Sequence, residues 1–262
     1  MKIIELENVS FCYGNTRADF CLSDINIKID KNEFVSIIGA NGCGKSTLIK
    51  IAAGLLKPIS GKVRINNSEY ENYSRIDLAK LIAYVPQLYY SVYPYSVFEV
   101  VMMGRNPHLN IFGYENKFDI ELVNDVLEKV GLYNLKNKSI NEISGGEAQR
   151  AYIARALVQK PKVILLDEPN SHLDIKNEIA LFKLLSNLRK QEEISIAIVT
   201  HHLNLAGYFS DKVVLIKNGK VLENGDPKDV FNKRNIEACF DLSDDVNVIV
   251  NKDNNTINLM PC

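Results

Sequence analysis

Hydrophobic and polar positions alternate near the start of the chain. Residues 2–9 and 22–29 show this alternation, with Ile4 and Leu6 against Glu5 and Glu7 in the first segment and the series Ile25, Ile27 and Ile29 in the second. A period of two is typical of strands that bury one face and expose the other. Because antiparallel sheets tolerate one solvated face, we expect the two segments to form antiparallel strands.

Several short runs are instead apolar at nearly every position, which is typical of strands covered on both faces. These runs lie at residues 34–38, 81–85, 163–166, 194–199 and 212–217. An additional strand of edge type is predicted at 62–66, after a turn that contains Pro58 and Gly61.

Two hairpins are predicted toward the end of the chain. The Asn-Gly pair at 218–219 is a strong signal for a two-residue turn, so the run at 212–217 should pair with 220–223. The segments 246–250 and 256–259 flank a polar turn and predict a last small hairpin.

Helical spacing replaces the strand pattern from about residue 96 to residue 138. Val97, Val100 and Val101 share one face, and spacings of three and four are typical of amphipathic helices. We therefore predict a helical insertion within a body in which strands and helices alternate. Two more helices are expected, one after Ser144 and one at about 176–190.

The overall composition limits the classes of partner. The 262 residues carry 31 basic and 32 acidic side chains, for a net charge of −1, and they form no basic stripe. A nucleic-acid partner is therefore not favoured. No apolar run reaches the length of a membrane span, and Glu5 and Glu7 stand where a signal peptide needs apolar residues. We expect a soluble protein that can still dock on a membrane complex.

The cysteines are scattered and include no C-x-x-C pair. This spacing predicts a reduced cytosolic protein with neither a disulfide framework nor a zinc site. One cysteine lies in a glycine-rich loop, where we interpret it as a small tolerated residue; the alternative is a thiol whose modification blocks a ligand. The five cysteines are Cys12, Cys21, Cys43, Cys239 and Cys262.

That glycine-rich loop lies between the strand at 34–38 and a helical run at 48–53, and it matches the phosphate-loop pattern. Glycines let backbone N–H groups approach a ligand closely, and a helix start leaves N–H donors unpaired. A lysine adds positive charge, and the next hydroxyl can bind Mg²⁺. We predict a nucleoside triphosphate site in preference to a turn that only caps a helix. The loop residues are Gly39, Ala40, Asn41, Gly42, Cys43, Gly44, Lys45, Ser46 and Thr47.

Two consecutive carboxylates follow the buried strand at 163–166. Successive residues of a strand point to opposite faces, so Asp167 and Glu168 should have different tasks. One can hold Mg²⁺ and the other can reach an attacking water. Beside a phosphate loop we prefer this interpretation to an acidic turn, because hydrolysis needs both a metal ligand and a base.

A second helix start carries two glycines. Its Ser-x-x-Glu pattern is a capping box, which is the simpler interpretation. Two glycines weaken a helix without helping the cap, so backbone lying against an anion explains them better. The long insertion before this corner indicates that it does not serve the phosphates bound by the loop of the same chain. The corner consists of Ser144, Gly145, Gly146 and Glu147.

Taken together, these motifs resemble the ATP-binding-cassette ATPases over essentially the whole chain. Residues 143–150 are similar to the signature sequence of that family, with Ile143 in place of the usual Leu, and residues 171–174 resemble its loop at the dimer interface. Three further positions match single residues of the family: Tyr13 the aromatic that stacks on adenine, Gln87 the glutamine loop, and His201 the switch histidine.

The resemblance implies an α/β fold. It consists of a P-loop NTPase core, with a mixed sheet and helices on both faces, plus an antiparallel β subdomain and a helical insertion. The implied domains are the core at 1–88 and 140–235, the insertion at 89–139 and a C-terminal hairpin extension at 236–262. Departures from the family pattern are small: Asn170 stands where Thr is common, and His202 where Asp is common.

The resemblance also implies an active ATPase with ATP and Mg²⁺ as cofactors, and it assigns roles. The nucleotide would contact Tyr13, the phosphate loop and the Ser144–Glu147 corner of a second copy. Glu168 would polarise the attacking water and His201 would contact the γ-phosphate. The implied catalytic set is Glu168, His201, Gln87 and Asp174, and the implied magnesium set is Ser46, Gln87 and Asp167.

Residues 97–108 resemble importers of iron–siderophore, haem and cobalamin complexes, although Asn106 stands where Tyr commonly precedes Pro-His. We therefore expect the dimeric ATPase subunit of an importer. It would bind a membrane permease at the cytoplasmic face and be served indirectly by an extracytoplasmic substrate-binding protein. Some relatives carry molybdate or tungstate, which leaves the cargo open.

The alternative is a soluble ATPase of the same family that acts on nucleic acid or ribosomes. Such proteins usually have two fused cassettes or long coiled coils, and this chain has one cassette and neither addition.

Overall fold

The computed structural model describes residues 1–14, 20–87, 93–109, 114–170, 173–242, 246–251 and 256–261. Its strands are β1 (Lys2–Cys12), β2 (Cys21–Asp30), β3 (Phe34–Gly39), β4 (Ser60–Ile65), β5 (Ser68–Glu69), β6 (Ile82–Val85), β7 (Val163–Asp167), β8 (Ser195–Val199), β9 (Lys212–Lys217), β10 (Lys220–Gly225), β11 (Val246–Asn251) and β12 (Thr256–Pro261). Its α-helices are α1 (Lys45–Ala52), α2 (Arg75–Leu81), α3 (Val97–Met102), α4 (Lys117–Lys129), α5 (Gly145–Val158), α6 (Ile175–Glu192), α7 (Leu203–Phe209), α8 (Pro227–Val230) and α9 (Lys233–Phe240). Short 3₁₀ turns lie at Tyr70–Asn72, Met103–His108, Tyr133–Leu135 and Ile140–Glu142.

A six-stranded mixed sheet occupies the centre of the fold, in the order β10-β9-β3-β8-β7-β6. Every residue of β3, β7 and β8 is buried, as their continuous apolar runs predict. The parallel pairing of β3 with β8, and of β8 with β7, brings the carboxyl ends of the three strands to one edge. β10 runs antiparallel to β9 through the predicted turn, in which Asn218 and Gly219 both have positive φ.

An antiparallel sheet in the order β2-β1-β4-β5 forms a second layer. The predicted antiparallel pairing of β1 with β2 is confirmed. Inward side chains of this sheet, such as Ile4, Ile25 and Val63, share a hydrophobic cluster with α1 and with one face of the mixed sheet. α1 is thereby packed between the two sheets.

The opposite face of the mixed sheet is covered by α3, α4, α5 and α6. A buried ion pair links the elements of this group, since Arg105 Nε donates to Asp119 Oδ1 at 2.8 Å and Arg105 Nη1 donates to the carbonyl of Val158 at 2.7 Å. The helical character predicted for 96–138 is present in α3, α4 and the 3₁₀ turns. The division into domains stays a prediction. No helix of the described ranges is long and apolar enough to cross a bilayer.

The predicted C-terminal hairpin is formed by β11 and β12. Its inner side chains Val248 and Ile257 join a third cluster with Phe231 and Ile236, and the backbone N–H of Ile257 donates to Asn204 Oδ1. The helices α7, α8 and α9, on which this cluster depends, carry short patterns that the sequence analysis did not identify.

The prediction that the protein lacks a disulfide is wrong. Cys12 and Cys21 form a disulfide between the end of β1 and the start of β2. The two residues are nine apart in sequence, but the antiparallel register places them opposite each other, with their Cα atoms 4.2 Å apart. The sequence spacing alone did not reveal this register. Cys43 and Cys239 are free and buried, and Cys262 lies outside the described residues.

Candidate nucleotide-binding site

The phosphate loop connects the end of β3 to the start of α1, at the edge where the parallel strands end. Two of its glycines have positive φ, 74° at Gly42 and 106° at Gly44. At Gly39 a Cβ atom would lie 2.3 Å from the carbonyl oxygen of Ile216 and 2.6 Å from the sulfur of Cys43. The loop backbone thus needs glycine for conformation at two positions and for close packing at a third.

The start of α1 offers unpaired donors. Its N-cap residue is Gly44, and in the described residues no side chain caps the helix and its first turn holds no acidic residue. The first-turn N–H groups of a helix have no acceptor within the helix and carry about half a positive charge. This end of α1 is therefore suited to an anion such as a phosphate group.

Lys45 brings a positive charge into the loop. It is buried, with 4 % of its surface exposed, and its Nζ donates to the carbonyls of Gly39 and Ala40, each at 3.0 Å. The carboxylate of Glu168 is 3.9 Å away. A buried ammonium group held by two carbonyls and a more distant carboxylate fits a site for a polyanion.

Ser46 and Asp167 form an oxygen-rich pair next to Lys45. Ser46 Oγ donates to Asp167 Oδ1 at 2.8 Å, and the hydroxyl of Tyr84 donates to Asp167 Oδ2 at 3.2 Å. Burial raises the pKa of Asp167, and the hydrogen bonds from Ser46 and Tyr84 only partly oppose the rise. A hydroxyl and a carboxylate are hard oxygen ligands of the kind that Mg²⁺ binds, so this pair fits the predicted metal.

The second carboxylate, Glu168, turns to different partners. Its Oε1 lies 2.8 Å from Nε2 of His201, and its Oε2 accepts a 2.9 Å hydrogen bond from Nε2 of Gln87. In the described residues the side chain of Gln87 thus bonds to Glu168 and not to the Ser46–Asp167 pair. The two carboxylates thus have separate partners, and their separate tasks stay a prediction. Glu168 adopts a left-handed φ of 47°, so a turn after β7 directs it.

Tyr13 lies beside the far end of the phosphate loop. Its hydroxyl is 3.1 Å from Oγ1 of Thr47, and its ring packs edge-on against Phe11 at 5.0 Å. The residue is 59 % exposed. An exposed aromatic face next to a phosphate site is available for stacking with a nucleotide base.

The Ser144–Glu147 corner forms the capping box of the simpler interpretation. Glu147 Oε2 accepts hydrogen bonds from the backbone N–H and the hydroxyl of Ser144, and these bonds lower the pKa of the Glu147 carboxyl. A Cβ on Gly145 would meet no atom within 4 Å. No described contact joins this corner to residues 39–47, so the fold of one chain does not explain why Gly145 lacks a side chain.

Asp174 caps α6, where its Oδ1 accepts from the backbone N–H of Asn177 at 2.8 Å and its Oδ2 from the Asn177 side chain at 3.1 Å. The same Asn177 lies 3.3 Å from a Cβ built on Gly146. Asn177, which Asp174 holds, therefore lies beside Gly146 of the signature corner within one chain. Ser171 and His172, the first residues of the predicted interface loop, lie outside the described residues.

Three contacts of the site were missed from the sequence. Tyr84 binds Asp167, Asn177 binds Asp174 beside Gly146, and Glu178 lies 2.8 Å from His202. The place of Tyr84, three residues before Gln87 on a strand next to β7, was the available signal for the first. The other two lie on the first turn of α6 and depend on how that helix packs.

The family follows from a direct comparison. A family model described as ABC transporter matches residues 22–171, which include the phosphate loop, the signature corner and both carboxylates. The chain belongs to the ABC transporter family. It is an ATP-binding subunit, and as an ABC ATPase it hydrolyses ATP to drive transport.

Relatives of this ABC ATPase cover nearly the whole chain. It is 35 % identical to a probable iron chelatin transport ATP-binding protein of Helicobacter pylori strain 26695, over 91 % of this chain and 93 % of the relative. It is 38 % identical to the manganese transport system ATP-binding protein MntA of Synechocystis, over 90 % and 89 %. It is 31 % identical to the molybdate import ATP-binding protein MolC of Haemophilus influenzae, over 92 % and 89 %.

Two solved structures are similar as well. An inward-facing putative metal-chelate type ABC transporter aligns with a TM-score of 0.85 and 29 % identity, over 100 % of this chain and 98 % of that chain. The dimeric post-hydrolysis cassette MJ0796, bound to ADP and phosphate, aligns with a TM-score of 0.73 and 30 % identity, over 85 % and 98 %. The mixed α/β fold predicted from the sequence is thereby confirmed, and the fold is one that binds nucleotide.

Proposed function

We propose that this ABC ATPase energises import of a metal chelate of the iron–siderophore, haem or cobalamin type through a membrane permease. The observation that carries the proposal is the full-length structural similarity to a metal-chelate type transporter, with a TM-score of 0.85. The resemblance of residues 97–108 to importers of such complexes supports it independently.

Two copies would assemble head to tail, with each ATP between the phosphate loop of one copy and the Ser144–Glu147 corner of the other. ATP carries about four negative charges, and Mg²⁺, Lys45 and one helix start offset roughly three and a half of them. The start of α5 in the partner supplies a second positive helix end. The open space at Gly145 supports this arrangement, because backbone can approach a ligand there.

Hydrolysis would depend on positioned side chains. Glu168 acts as the base that polarises the attacking water, and its contacts with Gln87 and His201 hold the carboxylate in place. Ser46, Asp167 and Gln87 would hold Mg²⁺, which would neutralise phosphate charge. His201 contacts the γ-phosphate, and Asp174 supports the corner from α6. Positioning and electrostatics carry the reaction, since phosphoryl transfer needs little covalent chemistry from the protein.

The groove near Gln87, between the helical insertion and the core, would receive a cytoplasmic helix of the permease and place this subunit at the cytoplasmic face of the membrane. A cavity of about 360 Å³ on the insertion is lined by apolar, amide and acidic side chains that suit an amphipathic helix: Tyr95, Phe98, Glu99, Met102, Met103, Asn106 and Glu115. Closure of the dimer would then change the conformation of the permease. The permease would receive its cargo from an extracytoplasmic substrate-binding protein.

Another cargo is the second candidate, because relatives are named for manganese and for molybdate import. The contacts that select a cargo would lie on the permease and the substrate-binding protein. This subunit would be the same in either case.

The test is reconstitution of this subunit with its permease and binding protein, which are to be sought among the neighbouring genes. ATP hydrolysis in proteoliposomes should rise when the binding protein carries a ferric siderophore, haem or cobalamin. Stimulation by molybdate or Mn²⁺ alone would replace the metal-chelate assignment with the second candidate. Co-purification with ribosomes and no binding to the permease would remove the transport proposal.

A further inference from the structure

We propose that Glu178 is a positioning residue that fixes the relative placement of Glu168 and His201; the inference rests on the hydrolytic roles proposed for that pair. Glu178 lies in the first turn of α6 and is buried, with 6 % of its surface exposed. An unpaired charge is strongly disfavoured at such depth, so a buried carboxylate needs polar partners. The partners of Glu178 therefore identify what its charge holds in place.

One oxygen of Glu178 contacts both segments that carry the hydrolytic pair. Its Oε1 lies 2.8 Å from Nε2 of His202 and accepts a longer bond of 3.5 Å from Nδ2 of Asn170. His202 directly follows His201, and Asn170 stands two residues after Glu168. Glu168 and His201 also meet at 2.8 Å. The segments 168–170 and 201–202 are therefore joined twice, once directly by this contact and once through Glu178.

Both segments have local features that a contact with Glu178 can stabilise. Glu168 leaves β7 with a left-handed φ of 47°, a conformation that is strained for a non-glycine residue. His202 occupies the N-cap position of α7, but its side chain makes no described cap bond and reaches α6 instead. The contacts with Glu178 oppose relaxation of both segments.

The same contacts explain the two departures from the family pattern. An aspartate at position 202 would face Glu178 with a second carboxylate, and like charges at short range disfavour each other. A threonine at position 170 would offer a shorter side chain without an amide donor. His202 and Asn170 can both donate to a carboxylate, so the two departures and Glu178 form a matched set.

The predicted effect is on turnover and not on nucleotide affinity. In the described residues, no contact joins Asn170, Glu178 or His202 to the phosphate loop. A change that displaces only the hydrolytic pair removes an interaction of the transition state, which lowers kcat and leaves KM nearly unchanged. Misplacement by about 1 Å can slow a reaction by up to about a hundredfold.

The experiment compares His202→Asp with the double variant His202→Asp/Glu178→Gln. His202→Asp should lower kcat about tenfold or more, with KM for Mg-ATP within about twofold of the wild type. Adding Glu178→Gln should restore kcat to within about threefold, because the new amide can donate to the new carboxylate. Glu178→Gln alone keeps the shape of the side chain and should lower kcat by about threefold, again with KM unchanged.

Glu192→Gln is the matched control, since Glu192 lies at the opposite end of α6 and pairs with Lys129; it should keep the wild-type kcat. Glu168→Gln, measured in parallel, tests the hydrolytic role itself, and wild-type turnover there would overturn that role. If Glu168→Gln is slow, then wild-type turnover in His202→Asp, a parallel loss of ATP affinity, or failure of the double variant to recover would overturn the positioning role. If His202→Asp does not fold, an unchanged kcat in Glu178→Gln would overturn the positioning role of Glu178.

Discussion

The carboxylate of Glu168 lies 2.8 Å from Nε2 of His201, although the two residues are 33 apart in sequence. They follow β7 and β8, which pair in parallel and end at the same edge of the mixed sheet. The phosphate loop follows β3 at that edge, on the other side of β8. The register of three parallel strands thus assembles a site from segments that are distant in the chain.

The proposed role of Glu168 predicts the effect of Glu168→Gln. An amide cannot accept a proton from the attacking water, so turnover should fall at least about a hundredfold, the scale of a lost general base. ATP binding should persist, because the phosphate contacts remain. Phosphate release at saturating Mg-ATP and binding of a fluorescent ATP analogue measure the two quantities. Undiminished phosphate release would remove Glu168 from the role.

The Cys12–Cys21 disulfide predicts a dependence on reductant. Closing a loop of about ten residues restricts the unfolded chain and stabilises the fold by about 2–3 kcal/mol. Dithiothreitol should therefore lower the free energy of urea unfolding by that amount. The double variant Cys12→Ser/Cys21→Ser should show the lower stability with or without dithiothreitol. Equal stability of the oxidised and reduced wild-type protein would contradict the prediction.

The buried pair of Arg105 and Asp119 predicts a pH-dependent stability. Burial raises the pKa of Asp119, but the backbone N–H of Asn116 and the Arg105 guanidinium outweigh burial, so the pKa of this carboxyl lies below its ordinary value of 3.8. The ion pair therefore stabilises the fold at pH values above 3.8. This stabilisation is lost as the pH falls through the lowered pKa of Asp119.

Asp119→Asn leaves the guanidinium buried without its charged partner, so the free energy of unfolding at pH 7 should fall by about 3 kcal/mol or more. The difference in the free energy of unfolding between variant and wild type should narrow at acidic pH, because Asp119 of the wild type is then protonated and uncharged, like the asparagine of the variant. Urea unfolding at several pH values measures both. A gap that stays constant down to strongly acidic pH would argue against the charged pair as its source.

Cys43 is predicted to react slowly. Burial raises the pKa of its thiol above the ordinary value of 9.0, and the charge of Lys45 only partly opposes the rise. At pH 8 the thiol is protonated, so iodoacetamide should alkylate Cys43 at least about tenfold more slowly than in the urea-unfolded chain. Cys43→Ala should keep ATP affinity within about threefold. Rapid alkylation that abolishes ATP binding would favour the alternative of a ligand-blocking modification.

Much of the fold was predictable because local signals agreed with the final structure. The turn at Asn218 and Gly219 defined the β9–β10 hairpin, and the fully apolar runs became buried strands. The phosphate loop was recognisable because its glycines are needed for backbone geometry, which leaves a pattern in the sequence.

The missed features depend on pairing between distant segments. The register of β1 against β2 brings Cys12 to Cys21, and the packing of α6 brings Glu178 to His202. The direction of Glu168 was expected from strand alternation, but a left-handed turn sets it. The packing of separate segments thus determines the Cys12–Cys21 pairing and the Glu178–His202 contact, whereas the backbone conformation of one residue determines the direction of Glu168.

The most direct test of the account is the mass of the Glu168→Gln variant with Mg-ATP, measured by size-exclusion chromatography with light scattering. We predict a dimer of about twice 29.5 kDa, held together by ATP between the phosphate loop and the Ser144–Glu147 corner. Adding Gly145→Asp should give a monomer that still binds ATP, because a Cβ atom at this position meets no atom of its own chain within 4 Å and an acidic residue suits a helix start, yet it would repel the partner's ATP. A dimer that persists with Gly145→Asp, or an ATP-bound Glu168→Gln that stays monomeric, would contradict the account.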